Sequence, residues 1–361
     1  MNTNKITQTE LKLDGSVIAT TNVGVSPAAM VMKSKSKHLY VANSNNYSIK
    51  GSDSVTLIDG NTFMPLKTIT DSSFNQPFGL TLSKDESKLY VANSNGTTIS
   101  VIDTETNEVN SIIDGFNGPS AMVIHPHKKI GYVINYGAIP KRPSGKGNTV
   151  TVVNLEQENI FKEIQLHPHG ESPAAPAAIA ITPDGENVYV ANYVTGNPGT
   201  GTVTKISTST HTIINEVKGF FGPFSIQIDT EGKNAYVTNF GSNNFEPYGT
   251  TVSVLNLEDN SVTEIPTGGI QPSGLALSKD GRFGLVSNYN TLYSSNTPNL
   301  TGLTAGQGTV NIIDLQSNKL HPITINVGQA PGSISISPDG KYAFVSNYIG
   351  NTVSVIKIYQ H

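Results

Sequence analysis

The chain has 361 residues, a net charge of −4 and only 14% charged residues, with 34 Gly, 20 Pro and no Cys. Disulfides, thiolate metal sites and a cysteine nucleophile are therefore excluded, and the basic surface that nucleic acid requires is missing. No apolar run approaches the roughly 18 residues of a membrane span, so no membrane insertion is expected.

Residues 1–13 are polar and have no signal-peptide core; they are expected to be loose or to extend the strand that follows. The compartment stays open: cytoplasmic as the chain is written, periplasmic or cell-surface if Met1 replaces a trimmed export signal. Residues 16–24 read as a strand ahead of Pro27, and they align with residues 322–328 ahead of Pro331.

From Pro27 onward the chain repeats. Pro27, Pro77, Pro119, Pro176, Pro223, Pro272 and Pro331 are each followed 16 residues later by Asn43, Asn93, Asn135, Asn192, Asn239, Asn288 and Asn347. The Asn-to-Asn intervals of 50, 42, 57, 47, 49 and 59 residues each hold about four short strands with turns, the size of one propeller blade. After each proline, large apolar residues stand three and five positions on, from Met30/Met32 to Ile334/Ile336, between mostly small ones. That alternation predicts an innermost strand with one crowded face. A hairpin turn follows, such as Asp184-Gly185 or Asp339-Gly340, then a second strand ending at the Asn. Third strands (Val55 to Ile58, Val252 to Leu255) and outer fourth strands complete each unit, except that the seventh ends after its third strand. The segment 16–24 is expected to supply that blade's missing outer strand, because an open ring would leave a bare sheet edge.

Loops in a four-stranded blade alternate between two faces. The loop after the second strand and the connection to the next blade share one face, here called the top. From each Asn to the first Val or Ile of the third strand the spacings are 12, 6, 15, 11, 13, 22 and 6 residues. The long insertions of units 3 to 6 predict the binding face. Five units place an aromatic directly after the Asn: Tyr136, Tyr193, Phe240, Tyr289 and Tyr348; units 1 and 2 have Ser44 and Ser94. Two readings stand: these rings line the mouth and stack on a ligand, or they pack beneath the loops. The unit-6 loop adds Tyr293, and the basic unit-3 loop carries Arg142, either an anion contact or a solvated residue. His125 and His127 fall in a bottom turn. His167, His169 and Glu171 lie in a top connection and either join a divalent metal or general-base site or form a solvated loop. No cofactor is firmly implied.

Tyr236-Val237-Thr238-Asn239, with Tyr40-Val-Ala-Asn43, Tyr90-Val-Ala-Asn93 and Tyr189-Val-Ala-Asn192, resembles the YVTN-repeat family of β-propellers, which includes surface-layer-type proteins. The resemblance spans almost the whole chain. It implies an all-β fold: a seven-bladed β-propeller over residues 1–361 as one domain, with four-stranded blades and a ring closed by the N-terminal strand. The long loops and partial aromatic rim, with no catalytic set in the sequence, point to a binding or scaffold propeller that holds a small molecule, glycan or protein over blades 3–6, off the axis. The alternative from less similar lactonase-like or lyase-like propellers is a hydrolase or lyase with a metal or His/Glu site at the channel mouth.

Overall fold

The computed structural model describes residues 13–45, 51–137, 148–166, 175–194, 198–242, 247–293 and 303–359, with backbone alone at 291–293 and 303–305. Seven antiparallel sheets of four strands form a ring, each innermost strand packing on the next and the last, Pro331–Ile336, packing on the first, Pro27–Met32. Blade 1 is typical: Pro27–Met32, His38–Asn43, Ser54–Asp59 and Pro65–Ile69 run in order from axis to rim. The fold is a seven-bladed β-propeller. The long insertion in blade 6 folds back on itself as a small hairpin, Thr291–Tyr293 with Leu303–Ala305.

The core lies between blades. Met30, Leu39, Val41 and Ile58 of blade 1, for example, pack on Phe344, Val353 and Val355 of blade 7. The second strand of every blade is covered on both faces, which is why Tyr-Val-x-Asn reads as a near-continuous apolar run rather than an alternation.

Each element of that motif has a task. The tyrosine reaches forward into the next blade. Tyr40 donates its hydroxyl to Asn107 Oδ1 at 2.7 Å, in the turn between the third and fourth strands of blade 2. Tyr132 meets His211 Nδ1 at 3.1 Å in the equivalent turn of blade 4. Asn107 and His211 both have left-handed backbone (φ 56° and 53°), a conformation open to Asn and His at modest cost. Burial pushes Tyr40, Tyr90, Tyr132, Tyr189 and Tyr236 up to about 12, so they remain neutral. Blade 7 has Phe344 instead, and the matching position of blade 1 is Phe63, whose ring meets it edge-on at 6.1 Å.

The buried asparagine binds mainly side chains rather than the nearby backbone. In blade 3, Asn135 Nδ2 donates to Thr149 Oγ1 at 2.9 Å and Thr151 Oγ1 at 2.7 Å. The same fork recurs in every blade, from Asn43 on Ser54 and Thr56 to Asn347 on Thr352 and Ser354. In blades 1, 6 and 7 the incoming chain crosses directly above this amide at Gly24, Gly269 and Gly328. A Cβ there would fall 2.6, 2.5 and 2.4 Å from the Asn Cγ.

The ring closes as the repeat implies. Leu13–Asn22 pairs antiparallel with Thr352–Tyr359 as the outer strand of blade 7. Val17 and Ile18, the large apolar residues of this strand's middle, are 38% and 43% exposed and do not enter the core. Register shifts on both sides of Ser16–Val17 rotate the strand, and Leu13, 6% exposed, is the residue that enters the core between blades 6 and 7.

On the bottom face, Lys37 of blade 1 and Asp339 of blade 7 bridge the seam at 2.8 Å. Partial burial pulls the Asp339 carboxyl upward, but bonds from Lys37, the Ser337 hydroxyl and the Lys341 amide outweigh it and hold it at about 2, below the ordinary 3.8. A depressed carboxylate stabilises the fold above its unfolded value, and that contribution fades as pH falls from about 4 to about 2. We expect Asp339→Asn to lose about 1 kcal/mol near neutrality, after allowance for solvent screening, and to show a flatter acid limb. Melting temperature measured against pH for both proteins checks this; parallel acid limbs would contradict it.

Candidate functional site

The residue before each blade-opening proline turns the chain onto the axis, with left-handed backbone at Ser26, Gln76, Gly118, Gly222, Gln271 and Ala330. Its carbonyl accepts the amide of the residue that follows the motif asparagine. Thus Tyr136, Phe240, Tyr289 and Tyr348 donate to Gly118, Gly222, Gln271 and Ala330 at 2.9–3.0 Å. These bonds fix the post-Asn side chains at the top end of the channel.

A cavity of about 480 Å³ opens there. Its lining comes from the innermost strands and post-Asn residues of blades 1, 2, 4, 5, 6 and 7, so it is centred on the axis, whereas the loop lengths point to an arc over blades 3–6. Phe240, Tyr289 and Tyr348 line it. Tyr193 is 6% exposed and stands behind, its ring edge-on to Phe224 at 6.4 Å and to Phe240 at 6.5 Å. Phe240 in turn meets Tyr289 at 5.8 Å. Both readings of the aromatic set thus apply, divided among its members: some rings face the cavity and one braces them. Tyr136 is 44% exposed and is not part of the lining. Arg142, His167, His169 and Glu171 lie outside the described residues, as does the side chain of Tyr293.

Alternation in the first strand did not single out Phe78 and Phe224. Both line the cavity, each directly after its proline. The signal was available by comparing that one position across units, where the others are Ala28, Ser120, Ala177, Ser273 and Gly332. Polar groups in the lining are amides and hydroxyls: Gln227, Gln271, Ser225, Ser273 and Ser333. The described lining contains no Asp, Glu, His, Lys or Arg. Such a surface can stack, exclude water and offer neutral hydrogen bonds.

On the opposite face, His125 is buried in its turn and its Nδ1 accepts the amides of His127 at 3.0 Å and Lys128 at 3.1 Å. It stands where blade 6 has Ser278, whose hydroxyl instead accepts the amides of Arg282 and Phe283, four and five residues on. Burial, then the Lys128 charge, lowers the His125 pKa, in keeping with a neutral acceptor. Among the described residues, no three of His, Asp and Glu gather as a metal-holding group, and no helix is long and apolar enough to cross a membrane.

No protein-family model matches the chain. NHL repeat-containing protein 2 of Bos taurus is 36% identical over 107 residues, which is 28% of this chain and 15% of that protein. The PE-PGRS family protein PE_PGRS18 of Mycobacterium tuberculosis is 42% identical over 59 residues, 16% of this chain and 13% of that protein. The matched segments therefore span only about a seventh of these curated relatives. Two solved structures are similar over nearly their whole length. One is the Kuenenia stuttgartiensis hydrazine synthase, with TM-score 0.74, 19% identity and 98% of each chain covered. The other is the Cps50 (Swd1) β-propeller domain of Myceliophteria thermophila, with TM-score 0.69, 12% identity and 95% of this chain and 99% of that one covered. At these identities the likeness is one of fold alone.

Proposed function

We propose that the chain is one domain, a binding propeller of the YVTN-repeat kind, and that its axial cavity holds a small uncharged molecule at the top face. The observation that carries this is the lining: aromatic rings from blades 2, 5, 6 and 7, amides and hydroxyls, and no charged side chain among its described residues. Burying a charged ligand there without a counter-charge would be costly, whereas an apolar face with a few polar groups is matched.

The reading is tested by ligand-observed NMR with fragments sorted by charge, on the native protein and on Tyr289→Ala. Neutral fragments with an apolar face are expected to bind, and Tyr289→Ala is expected to weaken them about tenfold while the fold persists. Binding confined to charged fragments, or equal affinity in the variant, would refute it.

A further inference from the structure

Six residues that directly follow a blade-opening proline line the cavity. Four are small, namely Ala28, Ala177, Ser273 and Gly332; the other two are Phe78 and Phe224. Blades 2 and 5 are separated by two blades one way round the ring and three the other, so these two phenyl rings enter the cavity from nearly opposite walls. Phe224 remains 36% exposed although it is a large apolar ring, and it is held by Phe240 at 5.1 Å and Tyr193 at 6.4 Å. Phe78 is half-buried at a position where its equivalents have little or no side chain.

We infer that Phe78 and Phe224 form a clamp and that the ligand is a flat, unsaturated, uncharged ring system held between them. This rests on the binding reading above and narrows its ligand class. The small residues at the neighbouring positions leave width for a plate that stands along the axis with one face toward each wall. A globular molecule of equal area would gain far less from rings on two opposite walls, because stacking requires both faces of the ligand to be planar. The exposed Gln227 and the half-buried Ser333 are polar lining side chains open to polar atoms on the plate's edge, whereas the buried Ser273 hydroxyl is taken up by the Pro331 carbonyl at 2.6 Å.

Two alcohols separate the possibilities: planar 2-naphthol, followed by its own fluorescence anisotropy, and globular 1-adamantanol as its competitor. The chain has no Trp to interfere. We expect 2-naphthol to bind at least about tenfold more tightly than 1-adamantanol. Phe78→Ala and Phe224→Ala are each expected to weaken it about tenfold, and Phe78→Tyr to restore it. Because Phe224→Ala also removes packing from Phe240, Phe224→Leu provides a second variant, with melting curves recorded for all. If both alcohols bind equally and Phe78→Ala changes neither, the clamp is refuted while the cavity reading survives. If neither alcohol nor any other neutral fragment binds, both fall together.

Discussion

Removing residues 1–22 is expected to cost on the order of 5 kcal/mol or more and to add a self-association that the intact chain does not show. The deletion takes away the strand Leu13–Asn22 and its paired register with Thr352–Tyr359, from Leu13 opposite Tyr359 to Asn22 opposite Thr352. Leu13 leaves a core shared with Ile325, Val327 and Ile358, a loss of roughly 2 kcal/mol by itself. Thr21 also gives up its 2.6 Å bond to the Phe63 carbonyl, which ties the strand to blade 1. What remains is an apolar edge carrying Val353, Val355, Ile356 and Ile358, a template for pairing with another chain. Size-exclusion chromatography and thermal melting of the truncated chain measure both effects. Adding a synthetic peptide of residues 13–24 is expected to restore the elution volume of the intact chain. A truncated protein that elutes and melts like the intact one would show that the seam does not depend on this strand.

Asn135→Leu is expected to cost about 3 kcal/mol. The side chain is fully buried, and its amide supplies two donors to Thr149 and Thr151 and accepts the Asn117 amide at 3.4 Å. Leucine has a similar volume, so the loss is one of hydrogen bonding rather than of packing, and it leaves buried hydroxyls without their donors. Replacing Thr149 and Thr151 with Val as well is expected to recover part of the loss, because the unmatched hydroxyls go with their partner. Urea unfolding of the single, double and triple variants gives the coupling directly. Strictly additive losses would mean that the asparagine acts through its volume alone.

Much of the architecture was legible because one constraint recurs. The 16-residue spacing from proline to asparagine spans one hairpin, and a constant hairpin in seven copies can only be one ring element repeated. The incomplete last unit and its counterpart at residues 16–24 then indicated the closure. Inward and outward faces within that closing strand were not legible. Register shifts on both sides of Ser16–Val17 interrupt the period-2 alternation, so Val17 and Ile18 are both left partly exposed while Leu13 is buried, and nothing in their own side chains marks the shifts. The site was legible in part. Phe240, Tyr289 and Tyr348 line the cavity, and the repeated amide bond to the residue before each proline sets where their strands end; Tyr136 makes the same bond without joining the lining, so the bond does not by itself aim the ring. Tyr193 lies behind them, since its ring turns toward Phe224 and Phe240. Loop length drew attention to blades 3–6, but the described cavity is set by what stands on the innermost strands, where single substitutions such as Phe78 and Phe224 carry the information.

The tyrosine junctions give the ring a direction. Tyr40 and Tyr132 extend toward the blade that follows in sequence, and each finds there a turn residue suited to a hydroxyl; Phe344 finds Phe63. Blades are therefore not interchangeable parts, even though their strands superpose in kind. A chimera placing blade 7 ahead of blade 2 would set the Phe344 ring against Asn107 and leave that amide without its hydroxyl donor. A chimera placing blade 1 at the end of the chain would press the Tyr40 hydroxyl into the apolar ring of Phe63. A shuffled propeller would accept a new blade only together with the turn of its successor, so the unit of exchange is a second strand plus the next blade's outer hairpin. Any duplication that lengthened such a ring would have to cut between a blade and its neighbour's turn, inheriting one mismatched junction to repair.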